Sequence, residues 1–143
     1  MPELTVELHP ESGVQRIIEL KLDYGLPANT LKKLRSELTD KLYEISGGLS
    51  KTSEAAFALG AYNALAKGCE YDALPPAADA EGSQLSSDYR STAYGALAEG
   101  KADSLGIALA YCALCRTEGI ECVVVTGTLD GEGHCWNIVK IDQ

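Results

Sequence analysis

The chain has 143 residues, of which 45% are hydrophobic and 23% charged, which suits one compact globular domain. Twelve Lys and Arg against 21 Asp and Glu give a net charge of −9, which disfavours nucleic acids and anionic membranes as partners. No apolar run is long enough to cross a bilayer, and the N-terminal "MPELTVELHP" lacks the basic and apolar regions of a signal peptide. The sequence does not identify the cellular compartment of the protein.

Residues 1–50 predict a β-hairpin followed by a helix. The stretches "LTVEL" and "IIELKL" alternate apolar and polar residues, and "HPESG" between them has the composition of a turn. In "NTLKKLRSELTDKLYEISGG" leucine and isoleucine recur every three or four residues, which is typical of an amphipathic helix. Asn29 or Thr30 is expected to cap this helix and Gly47 to end it.

A second helix and a long connection follow. "SEAAFALGAYNALAKG" predicts a closely packed, Ala-rich helix that Ser53 caps and Gly68 ends. The next segment, "CEYDALPPAADAEGSQLSS", combines prolines with acidic residues, Gly and Ser, and predicts a surface connection. A long connection inside a compact domain often forms a lid or a wall beside a site.

The last third of the chain predicts a buried helix over residues 103–118 and then a hairpin. "IECVVVTGTL" and "HCWNIVKI" are strand-like, and "DGEG" between them is a turn, where Asp130 is expected to be structural. The five cysteines are odd in number and mostly lie in apolar runs, which favours reduced thiols packed in the core. The C-x-x-C pair Cys112 and Cys115 falls on a helix, whereas zinc sites prefer a tight turn, so we expect no metal and no cofactor.

Ser104 and His134 are the candidate catalytic pair. Ser104 starts a buried helix, where unpaired N–H groups and the positive end of the helix dipole would stabilise a thiolate or an oxyanion. His134 begins a strand after a turn and is placed to reach that helix as a base. From spacing alone, a helix cap at Ser104 and an ordinary turn histidine at His134 remain open.

The stretch "TAYGALAEGKADSLGIALAYCALCRTEGIECVVVTGTLDGEGHCWNIVKID" resembles the core of the transglutaminase-like superfamily, including its bacterial transglutaminase/protease-like members. The matching positions are Gly100, Lys101, Ala102, Gly106, Ala108, Gly119, Ile120, Val124 to Gly127, Gly133, His134, Trp136 and Asn137. "EYDALP" is similar to the Tyr-Asp motif that precedes this region in the family.

The resemblance implies an α+β fold of the papain-like cysteine-protease type, with a central helix packed on an antiparallel sheet. It implies one transglutaminase-like domain over residues 1–143, with the hairpin and first helix in 1–50 and the core in 52–142. Ser104 then occupies the position of the nucleophilic cysteine and His134 that of the base, and we expect Ser104 also to cap its helix. Trp136, Tyr94 and Asn137 are expected to bind the substrate, a protein or peptide, while packing of Trp136 and Tyr94 in the core stays open.

Two departures bear on activity. Serine replaces the cysteine, and the aspartate that orients the histidine in the family would lie on a strand beyond Gln143, so we expect a chain truncated at its C-terminal end. Asp142 lies eight residues after His134, about 26 Å along an extended strand, which is too far to substitute. A hydroxyl is a weaker nucleophile than a thiolate, so the chain is expected to be inactive as written.

Several explanations stay open. The serine fits a natural pseudoenzyme, an engineered Cys→Ser replacement or a true serine variant, in that order. The function is then either an acyl-transfer or peptidase scaffold or a non-catalytic module that binds a peptide or glycan. A sheet edge left exposed by a missing strand would allow oligomers to form.

Overall fold

The structure is a computed structural model that describes residues 3–10, 12–14, 17–23, 26–72 and 89–141. The chain divides into two compact units, Met1–Lys32 and Lys33–Gln143, each described by itself below. Residues 73–87 of the predicted surface connection and Asp142 lie outside the described residues. The division of one domain into segments 1–50 and 52–142 stays a prediction.

The first unit contains the predicted hairpin, formed by β1 (Glu3–His9) and antiparallel β2 (Ile17–Asp23). Alternation with a period of two places the apolar residues opposite each other, in the pairs Leu4–Leu22, Val6–Leu20 and Leu8–Ile18. These side chains are exposed. Charged residues share the other face, where Lys21 Nζ lies 2.7 Å from Glu7 Oε2. The sequence pattern therefore sets the register of this hairpin.

The helix α1 (Ala28–Gly47) confirms the predicted helix but begins earlier than expected. Its first turn includes Asn29 and Thr30, so the prediction that one of them is the cap was wrong. The Leu31 N–H donates instead to the carbonyl oxygen of Pro27 at 3.1 Å. Proline is tolerated at this place because it lacks an N–H donor, and the N–H groups at the start of a helix have no acceptor within it. Further along, Leu38, Leu42 and Ile45 pack against the core.

The helix α2 (Glu54–Gly68) has the predicted cap and end. Ser53 Oγ accepts a hydrogen bond from the Ala56 N–H at 3.1 Å. After α2 the chain forms β3 (Glu70–Tyr71), which pairs in parallel with β4 (Lys101–Ala102). A short π-helix, Gly95–Glu99, leads into β4. This pairing brings the end of α2 beside the residues that start the next helix.

The core lies between α2, α3 (Ser104–Thr117) and the antiparallel pair β5 (Cys122–Leu129) and β6 (Glu132–Val139). Leu114, Cys115 and Ile120 are almost fully buried there. Asp130 and Gly131 turn the hairpin with φ of 53° and 88°, the left-handed values that a tight two-residue turn requires. The α+β fold, with a central helix packed on an antiparallel sheet, is confirmed.

The described helices include none that combines the length and the apolar character of a transmembrane span.

Candidate functional site

The start of α3 is fixed by Asp103. Its Oδ1 accepts a hydrogen bond from the Gly106 N–H at 2.9 Å, and its Oδ2 accepts one from the Ser91 hydroxyl. The Asp103 N–H donates in turn to the carbonyl oxygen of Arg90 at 3.1 Å. The expectation that Ser104 caps this helix was therefore wrong, because the neighbouring aspartate satisfies the first-turn donor. Ser104 is the first helical residue instead.

We expect Asp103→Ala to lower the free energy of unfolding by about 2 kcal/mol, at the upper end of the cost of losing an N-cap. The change removes the acceptor of two hydrogen bonds, from Gly106 and Ser91. Ser53→Ala is the matched control, because the exposed Ser53 cap accepts only the Ala56 N–H and should cost about 1 kcal/mol or less. Urea denaturation measures both, and equal costs would show that the Ser91 bond adds nothing.

Ser104 and His134 line the same cleft. It measures about 280 Å³, and Tyr71, Ile107, Ala108 and Cys135 complete its walls. Ser104 Oγ accepts a hydrogen bond from the Cys135 N–H at 3.3 Å, which joins the start of α3 to β6. The two residues come together because α3 packs along β6, so that its first turn lies beside the start of that strand. Their catalytic roles stay predictions.

Aromatic rings surround the imidazole of His134. The ring centroids of Trp136 and Tyr71 lie 4.8 Å and 6.4 Å from that of His134. Within the described ranges, no carboxylate makes a hydrogen bond to the His134 ring. Gly127 lies opposite His134 on β5, and a Cβ there would come within 3.0 Å of the Trp136 ring. The glycine therefore leaves the space that the indole occupies.

Asn137 connects the histidine strand to α3. Its Nδ2 donates to the carbonyl oxygen of Ala108 at 3.0 Å and lies 3.3 Å and 3.5 Å from the sulfur atoms of Cys112 and Cys122. Because the amide nitrogen bonds to the helix backbone, Asn137 helps to hold β6 against α3. Its predicted role in substrate binding is untested.

Tyr94 has a different environment from Trp136. Its hydroxyl donates to Glu37 Oε2 at 2.6 Å, and this hydrogen bond raises the pKa of Tyr94 to about 12. The ring packs edge-on against Tyr89, with centroids 5.1 Å apart. Tyr94 does not line the cleft that holds Ser104 and His134. Substrate binding by Tyr94 and by Trp136 stays a prediction.

Sequence reasoning missed Tyr71 and Asp72 as contributors to the site. Tyr71 lines the cleft, and Asp72 is buried, with Oδ2 at 3.4 Å from Arg90 Nη1 and 3.5 Å from Lys101 Nζ. The Asp72 N–H also donates to the carbonyl oxygen of Ala102 at 2.9 Å. These contacts hold Tyr71 beside the segment that starts α3. The sequence feature that could have identified these two residues is the Tyr-Asp pair inside "EYDALP".

The five free thiols differ in burial. Cys112, Cys115 and Cys122 are buried, whereas Cys69 and Cys135 are half-buried. Burial raises the pKa of Cys115 and raises that of Cys122 to about 12. Thiols with raised pKa values form little thiolate near neutral pH and react slowly. Cys112 and Cys115 therefore belong to the core, as predicted, and Cys135 is the native thiol that lines the cleft.

Comparison with known proteins gives one family match. A family model described as the transglutaminase-like superfamily matches residues 40–143, well over half of the chain. The matched range includes α2, α3, β5 and β6, and with them every described residue that lines the cleft. No curated protein matches the chain.

Proposed function

The chain belongs to the transglutaminase-like superfamily, and from this we propose that its cleft is a site of the acyl-transfer or peptidase type, inactive because residue 104 is serine. The observation that carries the proposal is the presence of Ser104 and His134 in one cleft at the start of α3. The group it would hold is a peptide or carboxamide carbonyl, next to residue 104. The N–H groups of Ser104 and Leu105 would serve as oxyanion donors, because the first N–H groups of a helix have no acceptor within it. The Gly106 N–H already donates to Asp103 Oδ1.

The chemistry expected of this arrangement needs a nucleophile that loses its proton easily. A thiol has a pKa of about 8.5, which a helix N-terminus and a nearby imidazolium lower further, whereas a serine hydroxyl depends on a well-oriented base throughout. In the described part of the chain, aromatic rings and not a carboxylate contact His134. The serine at residue 104 supports an inactive site.

A second function uses the same cleft for binding alone. Tyr71 and His134 line the cleft with Ser104, and the ring of Trp136, which is 39% exposed, lies against that of His134. Aromatic rings supply much of the contact area at binding surfaces without taking part in chemistry. In this alternative the domain holds a peptide or glycan, and residue 104 has no nucleophilic role.

The Ser104→Cys variant separates the two functions. We expect iodoacetamide at about pH 6 to alkylate the introduced thiol at least about 10-fold faster than Cys135, because the helix N-terminus and His134 would stabilise its thiolate. The thiolate displaces iodide from the reagent, and mass spectrometry of the digested protein gives the rate at each cysteine. Cys135 is a sharp internal control because it lines the same cleft.

A second variant tests the contribution of the histidine. Ser104→Cys combined with His134→Gln should react about as slowly as Cys135, because the glutamine cannot carry the positive charge that stabilises a thiolate. If the single variant already reacts no faster than Cys135, the acyl-transfer proposal is wrong and the binding module replaces it.

A further inference from the structure

An apolar cavity of about 530 Å³ adjoins the cleft. Helix α2 contributes Tyr62, Leu65 and Ala66 to its walls, and β6 contributes Val139. Tyr71 and Ile107 line both the cavity and the cleft that holds Ser104 and His134. The cavity and the cleft therefore adjoin at these two side chains.

The lining of this cavity favours an uncharged occupant. None of the described residues that line it carries a formal charge, and two of its polar side chains already donate to backbone carbonyls of the protein. The Tyr111 hydroxyl donates to the carbonyl oxygen of Ala58 at 3.1 Å, and Asn137 Nδ2 donates to that of Ala108 at 3.0 Å. A charged group placed here would lose its hydration without gaining a counter-charge. An aliphatic or aromatic group would gain apolar contact with Leu65, Ile107 and Val139.

We propose that this cavity binds an uncharged aliphatic or aromatic side chain of the peptide whose carbonyl lies at residue 104. The inference rests on the proposed function, because it treats the cleft as the place where that carbonyl is held. The volume falls within the range of ligand sites, about 300–1,000 Å³, and accommodates a side chain as large as phenylalanine. The cavity would then select substrates by the residue next to the reacting carbonyl.

The test uses the Ser104→Cys variant and two peptidyl chloromethyl ketones. The residue next to the ketone is phenylalanine in one reagent and aspartate in the other. The thiolate attacks the methylene carbon, a C–S bond forms and chloride leaves, so the intact mass reports each reaction. We expect the phenylalanine reagent to react at least about 10-fold faster, since a single methylene in an apolar pocket already changes rates by about this factor.

Two variants in which phenylalanine replaces an alanine of α2 test whether the cavity is the origin of this preference. Ala66 lines the cavity and is exposed, so Ala66→Phe places a ring there without disturbing the core. The ratio of the two rates should then fall towards one. Ala55 is exposed on the same helix but does not line the cavity, so the ratio should persist in Ala55→Phe.

The outcomes are distinct. If iodoacetamide alkylates the introduced thiol rapidly but both ketones react at the same rate, the proposed subsite is wrong and the proposed function survives. The same holds if Ala66→Phe leaves the preference intact, because the selecting surface then lies elsewhere. If the thiol is not activated towards iodoacetamide, the proposed function fails and the subsite fails with it.

Discussion

Gly106→Ala is expected to destabilise the protein by about 2 kcal/mol and to lower its Tm by roughly 6 °C. A Cβ at this position would lie 2.1 Å from the carbonyl oxygen of Arg90 and 2.9 Å from the Cβ of Ala102. Both contacts involve atoms fixed by the backbone, so α3 or the Arg90 turn must move. Overpacking of this kind costs about 3 kcal/mol, which exceeds the gain of about 1 kcal/mol from replacing a helical glycine by alanine.

The matched control is Gly47→Ala at the end of α1, where an added Cβ meets no atom within 4 Å. This variant should be neutral or slightly stabilising, by up to about 1 kcal/mol. Thermal unfolding of the two variants beside the parent protein isolates the steric effect. Equal Tm values for the two variants would show that the first turn of α3 has more room than the structure indicates.

Asp72→Asn is expected to cost about 3 kcal/mol, because it removes the charge that compensates Arg90 in a poorly hydrated place. The Asp72 side chain is 8% exposed and that of Arg90 19%, so water can replace little of the lost interaction. Asparagine keeps the shape of aspartate, which limits the change to charge and hydrogen bonding. The midpoint of urea denaturation should fall by about 1–2 M.

Lys101→Met removes the second cation that lies near Asp72. The Lys101 side chain is 51% exposed, so solvent screens its interaction with Asp72 and the loss should stay below about 1 kcal/mol. The contrast between the two variants compares the loss of the buried Asp72 carboxylate with the loss of a half-exposed cation beside it. An Asp72→Asn variant as stable as Lys101→Met would contradict the burial of this carboxylate.

The secondary structure was predictable because the signals are local. Alternation in "LTVEL" and "IIELKL" set the register of the first hairpin, and Ser53 marked the start of α2. The caps of α1 and α3 were harder to predict, because several residues in a row can cap a helix. At α3 the choice of Asp103 over Ser104 depends on the Ser91 hydroxyl and the Arg90 carbonyl, which are distant in sequence.

The candidate site was predictable only in part, for a similar reason. The helix start and the strand start indicated Ser104 and His134, the family resemblance supported the pair, and the two residues share a cleft. The position of Tyr71 depends on the parallel pairing of β3 with β4, two strands of two residues each that leave almost no pattern in the sequence. The hydroxyl of Tyr94 bonds to Glu37, 57 residues away, a contact that periodicity cannot indicate.

The cap at Asp103 has a consequence for how this domain can change over generations. Since Asp103 holds the helix, the side chain of Ser104 contributes one hydrogen bond of 3.3 Å to the scaffold and little else. An exchange between hydroxyl and thiol at this position should therefore cost about 1 kcal/mol or less, within the margin that most folded domains tolerate. Under the proposed function, a lineage would lose or regain the nucleophile at residue 104 in a single step, without first acquiring a compensating mutation.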